Sequence, residues 1–253
     1  MDKTVFITGA TSGFGKSCAE LFASHGWGLI ICGRRSGKLQ QLRDKFSNQP
    51  VHTFPIDVRD RQQVEESVKK LTNKTLNIDV LINNAGLALG LEPAHQADLD
   101  DWETMIDTNI KGICYLTRSV LPLMVARGSG HIINIGSVAG NWPYPGGNVY
   151  GATKAFVRHF SHNLRADLIG TPIRVTNIEP GLAETEFSTV RFHGDTEKAA
   201  EVYRGTRPLS AQDIAEIVYW TATVPPHVNI NSLEVMPVCQ SWAPFSIHRQ
   251  EKH

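Results

Sequence analysis

The stretch "TVFITGATSGFG", residues 4–15, has the order of features that is typical of a nucleotide-binding α/β fold. Its β-branched start, "TVFIT" (4–8), predicts a buried strand, and the segment "GKSCAELFASH" that follows has the apolar spacing of a helix. Between them, glycines allow a tight turn and let a pyrophosphate approach the helix N-terminus. A purely structural turn is the alternative. The turn residues assigned to a cofactor are Gly9, Thr11, Ser12, Gly13, Phe14 and Gly15.

Further β-branched runs alternate with helical segments along the rest of the chain, which is the pattern of a parallel sheet between helices. The later predicted strands are "GLIIC" (28–32), "VHTFPID" (51–57), "DVLINN" (79–84), "HIINIG" (131–136), "IRVTNIE" (173–179) and "SLEVMPV" (232–238). We therefore predict an α/β fold: a single Rossmann-type, doubly wound domain over residues 1–253. Its seven-stranded parallel sheet should have the order 3-2-1-4-5-6-7, with helices on both faces.

Three segments between or after the strands have distinct predictions. A long amphipathic helix is expected from Asp100 to Arg127, and another helix opens at "SAQD" with a capping box of Ser210 and Asp213. The polar segment 182–208 follows the sixth strand, where an open α/β sheet binds its ligand, so we expect a substrate lid there.

Composition limits the classes of partner. The 253 residues are 41% hydrophobic, and 25 basic side chains balance 25 acidic ones, so nucleic acid is not an expected partner. The N-terminus lacks a signal pattern and no apolar run approaches the length of a membrane span, which predicts a soluble, cytoplasmic protein with no membrane partner. The four cysteines lie far apart, and we interpret them as reduced core residues: Cys18, Cys32, Cys114 and Cys239.

The second strand is followed by "GRR", ending at Arg34 and Arg35. An NAD-binding protein would place an acidic residue here for the ribose 2′-hydroxyl, whereas a guanidinium binds a 2′-phosphate. The prediction is therefore NADP as the cofactor. The alternative is two solvated arginines at the start of a helix.

Tyr150 and Lys154 in "NVYGATKAF" (148–156) are four positions apart in a segment with helical character. Side chains at this spacing are neighbours, and a nearby cation favours the phenolate, which should pull the Tyr150 pKa down toward working pH. Such a pair is suited to general acid/base chemistry, although the spacing alone also occurs by chance on solvated helices.

With these motifs in view, the sequence resembles the short-chain dehydrogenase/reductase family along essentially its whole length. The matching motifs are "TGATSGFG" (8–15), "NNAG" (83–86), Asn109 in "TNIKG", Ser137 in "IGSVAG", "YGATK" (150–154) and "PG" (180–181). Within the family the chain is most similar to the NADP-dependent 3-hydroxy acid dehydrogenases, also described as serine 3-dehydrogenase or malonic semialdehyde reductase.

The resemblance implies a catalytic tetrad of Asn109, Ser137, Tyr150 and Lys154. Tyr150 would exchange a proton with the substrate oxygen while a hydride moves between substrate carbon and nicotinamide. Lys154 would also bind the nicotinamide ribose, and Ser137 would hold the substrate oxygen. Asn109 would belong to a proton relay toward Lys154; a solvated polar position is its alternative.

The resemblance also assigns cofactor contacts beyond the glycine turn. The residues expected at the adenine, the adenosine ribose and the nicotinamide are, in that order, Asp57 and Val58; Asn84, Ala85 and Gly86; and Pro180, Gly181 and Thr185.

Three features near these residues have two interpretations each. His159 and His162 could ligate a metal, but no further ligand accompanies them, so surface histidines and no metal are expected. The segment "WPYPGGN" (142–148) is either a substrate wall or a turn. Arg191 and Arg204 in the lid are candidates for binding a substrate carboxylate, or else are solvated.

Three functions are compatible with these residues. The first is NADP-dependent dehydrogenation of small 3-hydroxy acids such as serine, allo-threonine or 3-hydroxypropionate. The second is the same chemistry on a 3-oxoacyl thioester, a sugar or another carbonyl compound. The third is a non-enzymatic nucleotide sensor on the same scaffold.

By resemblance we also expect a homotetramer. Its C-terminal tail, 239–253, carries Trp242, Phe245 and Ile247, more apolar bulk than a free terminus usually exposes. The tail should therefore pack on a neighbouring subunit, with folding back on its own subunit as the alternative.

Overall fold

The computed structural model describes residues 3–73 and 76–242. Over these ranges the chain forms one parallel sheet of seven strands in the order β3-β2-β1-β4-β5-β6-β7. The strands are β1 Thr4–Thr8, β2 Gly28–Gly33, β3 Val51–Pro55, β4 Val80–Asn83, β5 Gly130–Ile135, β6 Ile173–Pro180 and β7 Ser232–Val235. The predicted fold class and strand order are confirmed.

Helices lie between the strands and cover both faces of the sheet. They are α1 Gly13–Ser24, α2 Ser36–Lys45, α3 Arg61–Asn73, α4 Leu99–Ile106, α5 Gly112–Arg127, α6 Asn148–Asp167, α7 Glu186–Arg191, α8 Thr196–Glu201 and α9 Ala211–Thr223. The helix predicted at "SAQD" is α9, and the Ser210–Asp213 capping box is present.

Alternate residues of the strands build two apolar cores, one on each face. In β1, Val5 and Ile7 pack on the side of α1 and α9, whereas Phe6 packs on the side of α3 and α5. Because successive strand side chains point to opposite faces, a strand buried on both sides must be apolar throughout. This explains why the central strands β1, β2 and β4 are nearly continuous apolar runs rather than alternating ones.

The helix predicted from Asp100 to Arg127 is not continuous. It is α4 and α5 joined by a π-helical turn, Asp107–Lys111, which contains the buried Asn109. Asparagine is a weak helix former, and π turns inside helices are frequent at functional sites. The apolar periodicity on either side of this turn gives no sign of the extra residue in it.

The proposed lid, residues 182–208, contains the short helices α7 and α8. An isolated parallel bridge joins Ala183 to Leu209, so the two ends of the segment lie side by side. The segment leaves and returns at the carboxyl end of β6, where the sheet should bind its ligand.

Near the C-terminus the sequence prediction needs two corrections. The seventh strand is at the sheet edge as expected, but it ends at Val235 because Pro237 has no N–H to continue the ladder. Cys239 lies beyond it and is exposed, so its assignment to the core is wrong. Cys18 and Cys32 are buried as predicted, and Cys114 is half-buried.

The tail can be followed as far as Trp242, and Phe245 and Ile247 lie outside the described residues. Trp242 Nε1 donates a hydrogen bond to Glu234 Oε1 of its own chain at 2.9 Å, and 58% of the residue is exposed. Among the described helices, none is long and apolar enough to cross a membrane.

Candidate active site

The glycine turn after β1 has the backbone that its sequence predicts. Gly9 and Gly13 have φ angles of +65° and +49°, which favour glycine. A Cβ at Gly15 would lie 2.5 Å from both the side-chain nitrogen of Asn84 and the Gly9 oxygen, so no larger residue fits there. The turn therefore brings bare backbone to the start of α1, as a dinucleotide pyrophosphate requires.

Asn84 fixes this turn from the end of β4. Its Nδ2 donates to Thr8 O at 2.9 Å and to Gly9 O at 3.3 Å, and its backbone N–H donates to Thr8 Oγ1. The side-chain amide of Asn84 is thus used to hold the turn in place, although the residue also lines the neighbouring cavity.

A cavity of about 330 Å³ lies at the carboxyl ends of the strands, between the glycine turn and Tyr150. The predicted site residues that line it are Gly9, Thr11, Ser12, Gly13, Phe14, Arg34, Arg35, Asp57, Val58, Asn84, Ala85, Gly86, Ser137, Tyr150, Lys154, Pro180, Gly181 and Thr185. Gly15, Asn109 and Arg191 do not line it. The residues present fit a dinucleotide, since a glycine cradle, a basic pair and a tyrosine–lysine pair border one cavity.

Of the two arginines after β2, Arg35 is hydrogen-bonded to its neighbours, whereas Arg34 is not within the described part of the chain. Arg35 donates from Nε and Nη2 to Thr11 Oγ1, from Nη2 to Ser12 Oγ and from Nη1 to Glu186 of the lid. Arg34 lines the cavity and makes no hydrogen bond within residues 3–73 and 76–242. Both guanidinium groups are therefore placed at the cofactor end of the cavity.

Asp57 follows β3 and forms an ion pair with Arg59, with Nη2 and Oδ2 2.7 Å apart. Burial alone would raise the pKa of Asp57, but hydrogen bonds and charge from Arg59 hold it below its usual value. The carboxylate is therefore ionised at neutral pH beside the predicted adenine position.

Tyr150 and Ser137 lie together at the other end of the cavity. Ser137 is near enough to the Tyr150 hydroxyl to lower its pKa, and Ser137 Oγ accepts a hydrogen bond from Ala139 N at 3.1 Å. Tyr150 is in the first turn of α6, and Ser137 follows β5, so two separate elements bring the hydroxyl groups together.

The pKa values of the Tyr150–Lys154 pair differ from the sequence expectation. Burial raises the pKa of Tyr150 to about 12, against smaller lowering effects of Ser137 and Arg191. Burial also lowers the pKa of Lys154 to about 8. The expected depression of the Tyr150 pKa by Lys154 is wrong for this geometry, because the ammonium donates to Ile135 O at 2.8 Å and lies 5.9 Å from the tyrosine ring centre.

Asn109 is fully buried under the cavity, so the alternative of a solvated position is wrong. Its side-chain amide bonds to both backbone groups of Leu87 and donates to Thr153 Oγ1 at 3.0 Å. A Cβ at Gly86 would lie 3.2 Å from Asn109 Oδ1 and 3.4 Å from Lys154 Nζ, so glycine leaves room for both polar groups.

Of the two lid arginines that were candidates for binding a carboxylate, Arg191 lies beside Tyr150. Its guanidinium carbon is 5.7 Å from the Tyr150 ring centre, Nη2 donates to Tyr144 Oη at 2.9 Å, and Nε donates to Gly90 O. Arg204 pairs with Glu201 on the surface of the lid. The segment 142–148 contributes Tyr144 to this arrangement but does not line the cavity, and its role as a substrate wall stays a prediction.

The histidines of α6 do not form part of the site. His159 and His162 are exposed, and His162 contacts Ser232 Oγ at 3.2 Å. Within the described residues, no group of three histidine, cysteine or carboxylate side chains is placed to hold a metal ion.

Sequence reasoning missed three side chains at the site: Lys38, Glu186 and Phe187. Phe187 packs on Tyr150 with ring centres 5.7 Å apart, and Glu186 bridges Arg35 and Lys38. The two contacts of Glu186 join residues 151 and 148 positions apart, and no local pattern in the sequence signals them.

Three similarities to known proteins agree with this geometry. The chain is 60% identical over 246 residues to an NADP-dependent 3-hydroxy acid dehydrogenase of Salmonella typhimurium, covering 97% of this chain and 99% of the relative. It is 52% identical to sulfoacetaldehyde reductase 2 of Chromohalobacter salexigens, covering 98% of this chain and all of that protein. A solved serine dehydrogenase, in a closed form complexed with NADP⁺, is 57% identical and superposes with a TM-score of 0.94 over 98% of this chain and all of the other.

The family model for short chain dehydrogenases matches residues 3–195, which include the glycine turn and all four residues of the tetrad. With the parallel sheet, the glycine cradle and the Ser137–Tyr150–Lys154 cluster in one place, this match shows that the chain belongs to the short-chain dehydrogenase family.

Proposed function

We propose that the protein is an NADP-dependent oxidoreductase that interconverts small 3-hydroxy acids and their 3-oxo acids, with Tyr150 as general acid/base. The substrates in view are serine, allo-threonine and 3-hydroxypropionate. The relatives named for 3-hydroxy acid and serine dehydrogenation support the class of reaction.

The observation that carries the choice of substrate is the position of Arg191 beside Tyr150. A free carboxylate needs a cationic partner, and Arg191 is 5.7 Å from the tyrosine ring with no carboxylate partner in the described chain. Its Nη1 has no acceptor among residues 3–73 and 76–242, although Nε and Nη2 are both occupied. Arg191 itself does not line the cavity, but it follows the lining residue Val190, so a small hydroxy acid at Tyr150 would meet this cation on the lid side.

Each member of the tetrad has a distinct task in this proposal. Tyr150 takes the hydroxyl proton in oxidation and returns it in reduction, and Ser137, which lines the same cavity, holds the substrate oxygen. Bound NADP supplies the carbon that accepts or gives the hydride. Lys154 would bind the nicotinamide ribose, and Asn109 would link Lys154 to a proton relay.

At neutral pH Tyr150 is protonated and Lys154 is mostly protonated. With a pKa of about 12, Tyr150 is a neutral phenol that is ready to donate a proton to a carbonyl oxygen. Lys154, with a pKa of about 8, is still mostly charged at neutral pH. In this state Tyr150 can act as the acid of the reduction, and in the oxidation it would act as the phenolate.

At the cofactor end, NADP is the cofactor because Arg34 and Arg35 provide guanidinium groups where an NAD-binding site would have a carboxylate. A relative named as NADP-dependent and a solved serine dehydrogenase complexed with NADP⁺ support the same choice.

A second candidate is the reduction of a small sulfonated aldehyde. The identity of 52% to sulfoacetaldehyde reductase 2 favours it, and a sulfonate is an anion that a guanidinium binds in the same way. Sulfoacetaldehyde and malonic semialdehyde both carry an aldehyde one methylene away from the anionic group.

NADPH consumption with malonic semialdehyde, sulfoacetaldehyde and neutral propanal separates the candidates. We expect kcat/KM for malonic semialdehyde to exceed that for propanal by about ten- to a hundredfold, the worth of one charge-assisted hydrogen bond. A higher value for sulfoacetaldehyde would favour the second candidate. Equal values for propanal and both anions would contradict an anionic substrate.

We also propose a cytoplasmic homotetramer with residues 239–253 in a subunit contact. The apolar side chains of the tail and the edge position of β7 support it, while the Trp242–Glu234 bond shows that part of the tail contacts its own chain. Sedimentation of a chain lacking residues 241–253 tests this, and an unaltered tetramer with unaltered kinetics would contradict a role for the tail.

A further inference from the structure

The first residue of the lid helix α7 reaches across to the cofactor end of the cavity. The carboxylate of Glu186 accepts from Arg35 Nη1 at 2.8 Å and from Lys38 Nζ at 3.0 Å. The remaining donors of Arg35 bind the hydroxyl groups of Thr11 and Ser12 in the glycine turn. Two cations from the start of α2 thus hold an anion beside the glycine turn.

The Glu186 carboxylate lies where the 2′-phosphate of the proposed cofactor would bind. A dinucleotide on the glycine turn has its adenosine ribose near the end of β2, and the 2′-phosphate of NADP needs cationic donors there. Arg35 and Lys38 are such donors, and Arg35 lines the cavity. A carboxylate and a phosphate cannot share the same N–H groups, and their like charges repel.

We propose that Arg35 and Lys38 form one anion-binding site that the Glu186 carboxylate and the 2′-phosphate of NADP occupy in turn, so that cofactor binding releases the start of the lid helix. The inference rests on the proposed use of NADP. It adds Lys38 as a cofactor-binding residue and gives Glu186 a part in cofactor selection.

The ion pairs of Glu186 with Arg35 and Lys38 are exposed to solvent, and a phosphate can displace such pairs. Its side chain is 48% exposed, and those of Arg35 and Lys38 are 43% and 44% exposed, so both ion pairs are weakened by solvent. A 2′-phosphate carries more charge than a carboxylate and accepts more hydrogen bonds. The 2′-phosphate therefore displaces the Glu186 carboxylate from Arg35 and Lys38. Its affinity is lower than it would be without Glu186, because the ion pairs must first be broken.

The two cofactors should respond to Glu186 in opposite directions. NADH has no 2′-phosphate and leaves Glu186 on the two cations, with its carboxylate near the ribose 2′-hydroxyl. A carboxylate at this hydroxyl is what NAD-binding proteins use. Removal of the Glu186 charge should therefore strengthen NADPH binding and leave NADH binding unchanged or weaker.

The test is the dissociation constant of NADPH and NADH, measured by fluorescence titration of the full chain, for wild type, Glu186→Gln and Lys38→Met. A matched control is Glu197→Gln, which removes the same charge from an exposed position in α8 of the same lid. Calorimetry with adenosine 2′,5′-bisphosphate and with adenosine 5′-monophosphate isolates the contribution of the 2′-phosphate. None of these measurements needs turnover, so they stand apart from the test of the proposed substrate.

We expect Glu186→Gln to bind NADPH and the bisphosphate about three- to tenfold more tightly than wild type, with no gain for NADH or the monophosphate. Lys38→Met should weaken NADPH and the bisphosphate about tenfold and leave NADH unchanged. Glu197→Gln should match wild type. NADPH binding that is unchanged or weaker in Glu186→Gln would overturn the proposal, as would a wild-type chain that does not distinguish the bisphosphate from the monophosphate.

Discussion

The guanidinium carbon of Arg191 lies 5.7 Å from the centre of the Tyr150 ring. Arg191 ends the lid helix α7, and Tyr150 is in the first turn of α6, so this contact places a lid cation against the proposed acid/base group. Tyr144 fixes the arginine from a third element through its hydroxyl and its ring.

Arg191→Met should raise KM for an anionic substrate while leaving a neutral aldehyde unaffected. Loss of one charge-assisted hydrogen-bonding partner should lower kcat/KM for the anion about ten- to a hundredfold. Steady-state kinetics on malonic semialdehyde and propanal measure both effects. Arg204→Met is the matched control, because Arg204 pairs with Glu201 at the surface of the same segment. Equal losses on both substrates would indicate a structural role for Arg191.

Tyr150→Phe should fold and bind NADPH but lose most turnover, because only the proton-transferring oxygen is removed. General acid/base groups contribute about a hundred- to ten-thousandfold to rate, and kcat should fall by that amount. NADPH titration and single-turnover kinetics of the variant measure binding and chemistry separately. Tyr219→Phe, in α9 and stacked on His25, is the control. A folded Tyr150→Phe protein with wild-type kcat would refute the mechanism.

Lys154→Met should alter the pH dependence of stability. The pKa of Lys154 is about 8 in the folded protein against an ordinary value of 10.5, so between these values the unfolded chain binds more protons and wild-type stability rises with pH. From pH 7 to 9.5 wild type should gain about 2 kcal/mol relative to Lys154→Met. Urea unfolding at both pH values measures the difference. Lys70→Met, at an exposed position, is the control and should show no such gain. If the difference in free energy of unfolding between wild type and Lys154→Met were the same at both pH values, the burial of a charged ammonium would be contradicted.

The double variant Arg34→Ala/Arg35→Ala should lose the preference for NADP. Charge-assisted hydrogen bonds contribute about 1.5–3 kcal/mol each, so the ratio of kcat/KM for NADP over NAD should fall at least tenfold. Kinetics with both cofactors in wild type and variant measure this ratio. An unchanged ratio of kcat/KM would mean that neither guanidinium binds the 2′-phosphate.

The fold and the cofactor end of the site could be predicted because their signals are local in the sequence. The turn around Gly9 needs positive φ angles at fixed positions, and the central strands β1, β2 and β4 are nearly continuous apolar runs of the kind that a doubly covered sheet buries. Asn109 was placed in the correct region, but the π-helical turn around it leaves no trace in the apolar periodicity.

The parts that could not be predicted depend on tertiary placement. The spacing of Tyr150 and Lys154 predicts neighbours, but it does not show that burial raises one pKa and lowers the other. Glu186 meets Lys38 only because the lid returns over α2, a contact between residues 148 positions apart. Likewise, Arg191 and Arg204 are equivalent in the sequence, and only the fold separates them.

The formation of NADPH from small 3-hydroxy acids tests the central claim most directly. The purified protein should reduce NADP with at least one of serine, allo-threonine and 3-hydroxypropionate, and kcat/KM for that acid should exceed the value for neutral 1-propanol about tenfold or more. The same reaction should be slower with NAD than with NADP. No NADPH from any of the three acids, by a protein that binds NADP, would contradict the account.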